Sequence, residues 1–283
     1  MKIIRDPAQM QGYAETLRHQ GKRIGFVPTM GYLHEGHLSL VREARNKADC
    51  VVVSIFVNPT QFAPSEDLDA YPRDFARDEA LLKEVGTDVI FYPEAQTMYP
   101  EGYQTFVTVE NLSKNLCGMS RPTHFRGVAT IVTKLFNIVK PHVAVFGQKD
   151  FQQLLVIKRM VEDLNFDVEI IGHPTVRERD GLAMSSRNTY LSSEERADAL
   201  LLKKALDKAK ECYEAGVRHA GSLIERAKEV LEQSPRIRID YLKVCDTQDL
   251  QDIDVIEGEA VMAVAVFIGR TRLIDNCVFP GRG

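Results

Sequence analysis

The chain has 283 residues, a length that suits two domains of unequal size, and 44% of them are hydrophobic, ample for a buried core. The 36 Lys and Arg against 40 Asp and Glu leave a formal charge of -4, which argues against the basic footprint of a nucleic-acid binder or of a protein held on an anionic membrane. Cys50, Cys117, Cys212, Cys245 and Cys277 are scattered and form no CxxC pair, so neither a zinc knuckle nor a disulfide framework is suggested.

The opening Met1-Lys2-Ile3-Ile4-Arg5-Asp6 lacks the apolar stretch of a signal peptide. The most apolar runs, Val51–Val57 and Val261–Ile268, are far shorter than the ~20 residues that span a bilayer. A cytoplasmic protein with no membrane segment is expected.

Arg23–Pro28 reads as a strand, and His37–Ala48 as a helix with Leu40, Val41, Ala44 and Ala48 on one face. The β-branched run Cys50–Val57 suits a strand buried on both faces of a parallel sheet. The alternation continues with helices over Phe75–Val85, Val128–Val139 and Phe151–Leu164, and extended segments at Asp88–Tyr92, Val143–Phe146 and Val168–Ile171. Such alternation predicts a doubly wound, Rossmann-like α/β domain over residues 1–175. Thr175–Asn188 is a polar, charged segment that reads as a mobile loop. Beyond it come helices over Ser193–Ala215 and Ser222–Gln233, then extended segments at Ile237–Val244, Ala260–Phe267 and Arg272–Asn276. Residues 176–283 are therefore expected to form a smaller α+β domain.

Three segments carry candidate chemistry. Met30-Gly31-Tyr32-Leu33-His34-Glu35-Gly36-His37 joins the first strand to the first helix, where an open α/β sheet binds its ligand. The Gly31-to-Gly36 spacing resembles a P-loop, but His37 and Leu38 stand where Lys and Ser or Thr are needed, and GxGxxG is absent. What remains is His34-x-Gly36-His37 at a helix start. Its amides and dipole favour an anion, and its imidazoles can donate to phosphate oxygens. Either histidine alone suits a satisfied surface group equally well. A zinc site is disfavoured, because a third ligand and HExxH spacing are both missing.

The second segment, Gly147-Gln148-Lys149-Asp150, again lies at a strand end opening a helix, and Lys149 is a point charge for a phosphate. The third, Met184-Ser185-Ser186-Arg187, offers two hydroxyls and a guanidinium, a composition that suits a phosphate clamp and also many inert loops.

His34-x-Gly36-His37 after the first strand and Met184–Arg187 after the sheet resemble the HIGH and KMSKS pair of the nucleotidyltransferase superfamily. Ala183 and Arg187 depart from KMSKS, which shifts the cationic load to Lys149 and Arg187. Val27–Leu40, Val53–Phe62, His124–Val128, Gly147–Gln153, Asp180–Asn188 and Leu273–Asn276 further resemble the signature blocks of the pantothenate synthetase (pantoate–β-alanine ligase) family, across nearly the whole chain.

That resemblance implies that ATP and pantoate form pantoyl adenylate and pyrophosphate, with Mg2+ on the phosphates, and that β-alanine then attacks to give pantothenate and AMP. Carried over by position, Met30–His37, Gly147–Asp150, Val176 and Met184–Arg187 resemble the ATP contacts. His37, His34, Lys149 and Arg187 hold the implied catalytic places, with His37 the proton donor. Gln61 and Gln153 resemble the substrate contacts, supported by Asn58 and Arg126. A homodimer through the first domain is also implied, with small molecules as the other partners. The competing readings are a nucleotidyltransferase acting on a phosphorylated alcohol, a fragment of an aminoacyl-tRNA synthetase, which would need a basic RNA-binding part, and a non-catalytic nucleotide sensor.

Overall fold

The computed structural model describes residues 1–64 and 66–281. The chain opens with β1 (Lys2–Ile4), α1 (Pro7–His19), β2 (Ile24–Thr29), α2 (Glu35–Lys47), β3 (Cys50–Ile55), α3 (Phe75–Glu84), β4 (Val89–Phe91) and the short α4 (Ala95–Met98). It continues through the short α5 (Cys117–Ser120), α6 (His124–Val139), β5 (Val143–Gly147), α7 (Phe151–Asp163) and β6 (Glu169–His173). The last elements are α8 (Ser193–Glu214), α9 (Ala220–Leu231), β7 (Ile237–Asp246), β8 (Ala260–Ile268) and β9 (Thr271–Phe279). Single 3-10 turns occupy Pro59–Gln61, Gln148–Asp150 and Ser186–Tyr190.

Among the described residues, β1 to β6 form one parallel sheet in the order β1-β4-β3-β2-β5-β6. Side-chain alternation divides its apolar residues between two faces. Phe26, Val52, Phe91 and Phe146 share one face with Met10 and Leu17 of α1, Leu135 of α6 and Ile157 of α7. Val27, Val53, Ile90 and Val145 share the other with Val41 and Ala44 of α2 and Leu82 of α3. Burial on both faces is why the strands read as continuous apolar runs. The chain leaves β2 toward β3 and β4, then returns to β5 on the other side of β2, so the topological switch lies between β2 and β5. The carboxyl ends of those two strands are where an open α/β sheet binds ligands.

Residues 1–22 carry no element in the sequence pattern above, yet the structure has β1 and α1 there. β1 has only three residues, too few to show a period. The signal for α1 was present, since Asp6 caps it by accepting from the Gln9 amide at 2.7 Å and Pro7 opens its first turn. Helix α6 starts at His124, four residues before the expected Val128.

The chain divides into two compact units. The first comprises Met1–Ser113, Arg121–Gln148 and Gln153–Pro174, and contains the parallel sheet. The second runs from Thr175 onward and includes the short segments Lys114–Ser120 and Lys149–Gln152. Within it β7, β8 and β9 form an antiparallel sheet, with a bulge between Ile239 and Tyr241. Leu202 and Leu206 of α8 and Leu223 and Leu231 of α9 bury against Met262, Val264 and Val266 of β8. Ser192 and Glu195 close a reciprocal capping box at the start of α8.

Candidate active site

The loop after β2 is built around two consecutive left-handed residues, Gly31 (φ 85°) and Tyr32 (φ 50°). A Cβ on Gly31 would lie 3.0 Å from both Asp78 Oδ2 and Ile55 Cγ2, so glycine is required there for space as well as for φ. The turn aims the Tyr32 and Leu33 amides at the Asp78 carboxylate on α3, each donating at 2.7 Å. Asp78 is 1% exposed, so its charge is held by these amides and by Arg77 at 3.6 Å. Burial pushes its carboxyl above the ordinary Asp value, and the two amides oppose that rise.

From sequence, the amides of this loop were expected to serve an incoming anion. Two of them already bind the protein's own anion, which leaves the first-turn amides of α2, Glu35 and Gly36, as the donors a helix start supplies.

His34 caps α2, and its amide donates to Nδ1 of His37 at 3.3 Å. With Nδ1 accepting, a neutral His37 carries its proton on Nε2, the tautomer of a hydrogen-bond donor. The two rings lie 4.1 Å apart, centroid to centroid, so the imidazoles form one cluster at the positive end of the α2 dipole.

Beside this loop, the turn Pro59–Gln61 carries a buried amide pair. Asn58 Nδ2 donates to Gln61 Oε1 and to the Gly127 carbonyl, each at 3.1 Å. Gln61 Nε2 donates to the Met30 sulfur at 3.1 Å. The Gln61 carbonyl meets His124 Nδ1 at 2.9 Å and accepts from Arg121 Nη2 at 3.3 Å. Arg121 in turn grips Glu66 with two hydrogen bonds of 2.6 Å. Helix α6 packs onto this turn through Gly127, where a Cβ would meet the Thr60 carbonyl oxygen at 2.4 Å. The Arg126 guanidinium lies over the Phe106 ring at 3.7 Å.

Gly147 and Gln148 stand at the carboxyl end of β5, beside β2, and Gln153 is half-buried on the first turn of α7. The first unit thus gathers Met30–His37, Gln61, Gly147 and Gln148 on one sheet edge.

Lys149 and Asp150 group with the second unit, where the Lys149 carbonyl accepts from Asn276 Nδ2 at 2.9 Å. The neighbouring Gln152 is structural, accepting from the Cys117 amide and donating to the Asn115 carbonyl.

The segment Thr175–Asn188, expected as a polar loop, folds into a turn held by hydrogen bonds. Met184 N donates to the Val176 carbonyl at 3.0 Å and Glu178 N to the Leu182 carbonyl at 2.8 Å, closing a narrow two-stranded turn with Gly181 at φ 95°. Arg177 holds Asp275 of β9 with two bonds of 2.6 and 3.0 Å and also donates to the Gly181 carbonyl. Asn188 bridges Glu178 and the Ala183 carbonyl, and Arg196 pairs with Glu178 and Asp180. Ser185 caps the 3-10 turn that carries Ser186 and Arg187, accepting from the Arg187 amide at 3.3 Å.

Asp78, Tyr99, Gly127, Arg177 and Asn276 were absent from the sequence-derived site. Asp78 stands next to Arg77 on α3, and only the fold shows that it is turned inward.

The sequence matches the pantoate-beta-alanine ligase family over residues 2–278. It is 62% identical over 279 residues to the pantothenate synthetase of Syntrophus aciditrophicus (strain SB), covering 99% of this chain and 98% of that one. The structure is similar to the crystal structure of pantothenate synthetase from Thermus thermophilus, with a TM-score of 0.93, 46% identity and coverage of 98% and 99% of the two chains. It is similar also to pantoate-beta-alanine ligase from Francisella tularensis, crystallised with beta-gamma ATP and beta-alanine, with a TM-score of 0.81, 33% identity and coverage of 98% and 97%. With the parallel sheet, its β2–β5 switch point and the histidine-capped α2 in place, the chain belongs to the pantoate–β-alanine ligase family.

Proposed function

We propose that this ligase condenses pantoate with β-alanine through a pantoyl adenylate. A pantoate carboxylate oxygen attacks the α-phosphorus of ATP, forming a P–O bond as the bond to pyrophosphate breaks. The amine of β-alanine then attacks the acyl carbon, releasing AMP and a proton and leaving pantothenate. A carboxylate is a poor electrophile, and adenylation supplies the leaving group. Family membership over nearly the whole chain carries this reading, and the imidazole pair at the start of α2 supports it chemically.

In this reading His37 Nε2 donates to the phosphate oxygens as charge moves onto the departing pyrophosphate, with His34 beside it. Met30–His37 and Gly147–Gln148 contact ATP, as do Lys149, Asp150, Val176 and Met184–Arg187, with Lys149 and Arg187 supplying fixed positive charge. Gln61 and Gln153 bind pantoate, and Gln61 also touches β-alanine. Mg2+ arrives on the ATP phosphates and neutralises part of their charge. Asp78 is spent on backbone amides and fits a structural anchor better than a metal ligand.

The test is a coupled turnover assay. Pyrophosphate should appear from ATP only with pantoate, and AMP with pantothenate only after β-alanine is added. Consumption of a nucleoside triphosphate with a phosphorylated alcohol and no amide product would transfer the assignment to a nucleotidyltransferase. Among the described residues no helix is long and apolar enough to cross a membrane. A cytoplasmic homodimer completes the proposal, and a monomer mass by light scattering at micromolar concentration would remove the dimer from it.

A further inference from the structure

The amide pair below Gln61 has a direction that its surroundings dictate. The Gly127 carbonyl is an acceptor only, so the side-chain atom of Asn58 that meets it at 3.1 Å must be the nitrogen. The oxygen of Asn58 is thereby turned to the opposite side. There it accepts from the Tyr99 hydroxyl at 2.9 Å and from the Thr60 hydroxyl at 3.0 Å. The remaining proton on Asn58 Nδ2 requires an acceptor, and it meets Gln61 Oε1 at 3.1 Å. The nitrogen of Gln61 is then the end left for a ligand. Among the described residues it meets only the sulfur of Met30, a weak acceptor.

Asn58 is 1% exposed and Gln61 9%, so water does not readily scramble this order. The Gln61 backbone cannot swing to change it either, because His124 and Arg121 hold its carbonyl. Burial raises the Tyr99 hydroxyl to about 12, which keeps it protonated as a donor.

We infer that the Gly127 carbonyl sets, and the hydroxyls of Tyr99 and Thr60 hold, the polarity of a buried relay from Asn58 to Gln61, so that Gln61 meets pantoate only as a donor, to an accepting oxygen. Tyr99 is thus a positioning residue for pantoate recognition, acting through two amides without touching substrate. The inference rests on the proposed pantoate-binding role of Gln61.

Steady-state kinetics of four proteins tests it, with ATP and pantoate varied separately. The wild type must form pantothenate, and failure there would sink the functional reading instead of the relay. Tyr99→Phe removes one hydroxyl and keeps the ring. It should raise the KM for pantoate roughly five- to tenfold, the size of a lost neutral hydrogen bond, and leave the KM for ATP unchanged. Asn58→Asp places oxygen against the Gly127 carbonyl and Gln61 Oε1, which forces Gln61 to turn its nitrogen inward. The KM for pantoate should then rise roughly a hundredfold or more, because a donor facing the substrate becomes an acceptor. Tyr103→Phe is the control: its ring packs on Tyr99 at 5.0 Å, but its hydroxyl has no place in the relay, and pantoate kinetics should not change. A Tyr99→Phe enzyme with wild-type KM for pantoate, or with equal increases for ATP and pantoate, overturns the inference. So does a Tyr103→Phe enzyme that behaves like Tyr99→Phe.

Discussion

Asp78 accepts from the Tyr32 and Leu33 amides with one buried carboxylate, and so fixes the turn that leads into His34 and His37 at the start of α2. Replacing it with Asn puts an N–H2 group against one of two N–H donors. We expect Asp78→Asn to slow single-turnover adenylate formation roughly 10²-fold, as a misplaced catalytic group does, measured by rapid quench. The raised pKa of Asp78 gives the sign of a pH effect. As pH falls, Asp78 takes up a proton sooner than an ordinary Asp and loses acceptor capacity, so wild-type adenylation should show an acid limb that Asp78→Asn lacks. At His37 the expectation is simpler. Removing the donor with His37→Ala should lower the adenylation rate by roughly 10²-fold or more with the far-ultraviolet spectrum unchanged. An undiminished rate would exclude His37 from the chemistry.

At the level of elements, α6 reaches the Pro59–Gln61 turn only because Gly127 has no side chain. A Cβ there would stand 2.6 Å from the Gln61 amide nitrogen and 2.4 Å from the Thr60 carbonyl oxygen, and backbone cannot rotate away as a side chain can. Gly127→Ala should therefore cost about 1–3 kcal/mol in urea unfolding, the range for overpacking, and raise the KM for pantoate in the same protein. The turn Val176–Met184 depends on a different device, the Arg177–Asp275 pair, whose carboxylate side chain is 2% exposed. Arg177→Met strands that charge, and about 3–5 kcal/mol of stability should be lost. The double variant Arg177→Met, Asp275→Asn should recover part of that loss if the stranded charge is the cause.

Across the whole molecule, ion pairs give the second unit an acid-sensitive component. The Arg236 hydrogen bond holds Asp198 below the ordinary carboxylate range. For Asp180 burial is the largest single influence and acts upward, but Arg196 and the Leu182 amide together with its own backbone outweigh it and the value is lowered. Groups depressed on folding contribute stability above their unfolded pKa and lose it as pH falls through the folded pKa. Stability should therefore be flat near neutrality and decline below about pH 4. Arg236→Gln should flatten part of that decline in thermal melts taken as a function of pH. Ligands supply a second test at this scale. Although Asp180–Asn188 is already hydrogen-bonded, its amides should exchange more slowly when an ATP analogue and pantoate are both bound, if Ser185, Ser186 and Arg187 hold phosphates. Unchanged exchange at saturation would reduce the segment to a structural brace.

The βα alternation, the apolar strands and the two histidines at a helix start were all legible in the residues, because backbone period and helix-end chemistry are local properties. The same holds for Gln61 and the Met184–Arg187 segment, whose residue types and order carry the family resemblance. Asp78, Tyr99 and Gly127 were not legible as site residues. Each acts on a residue at least 39 positions away, and nothing in the neighbouring sequence marks its partner. Composition alone made Thr175–Asn188 a loop, and the Arg177 to Asp275 pairing across 98 positions made it a braced turn. Local sequence determined which groups could bind an anion or an amide partner. Tertiary structure decided which were already committed, because buried polar atoms must find partners wherever the fold brings them.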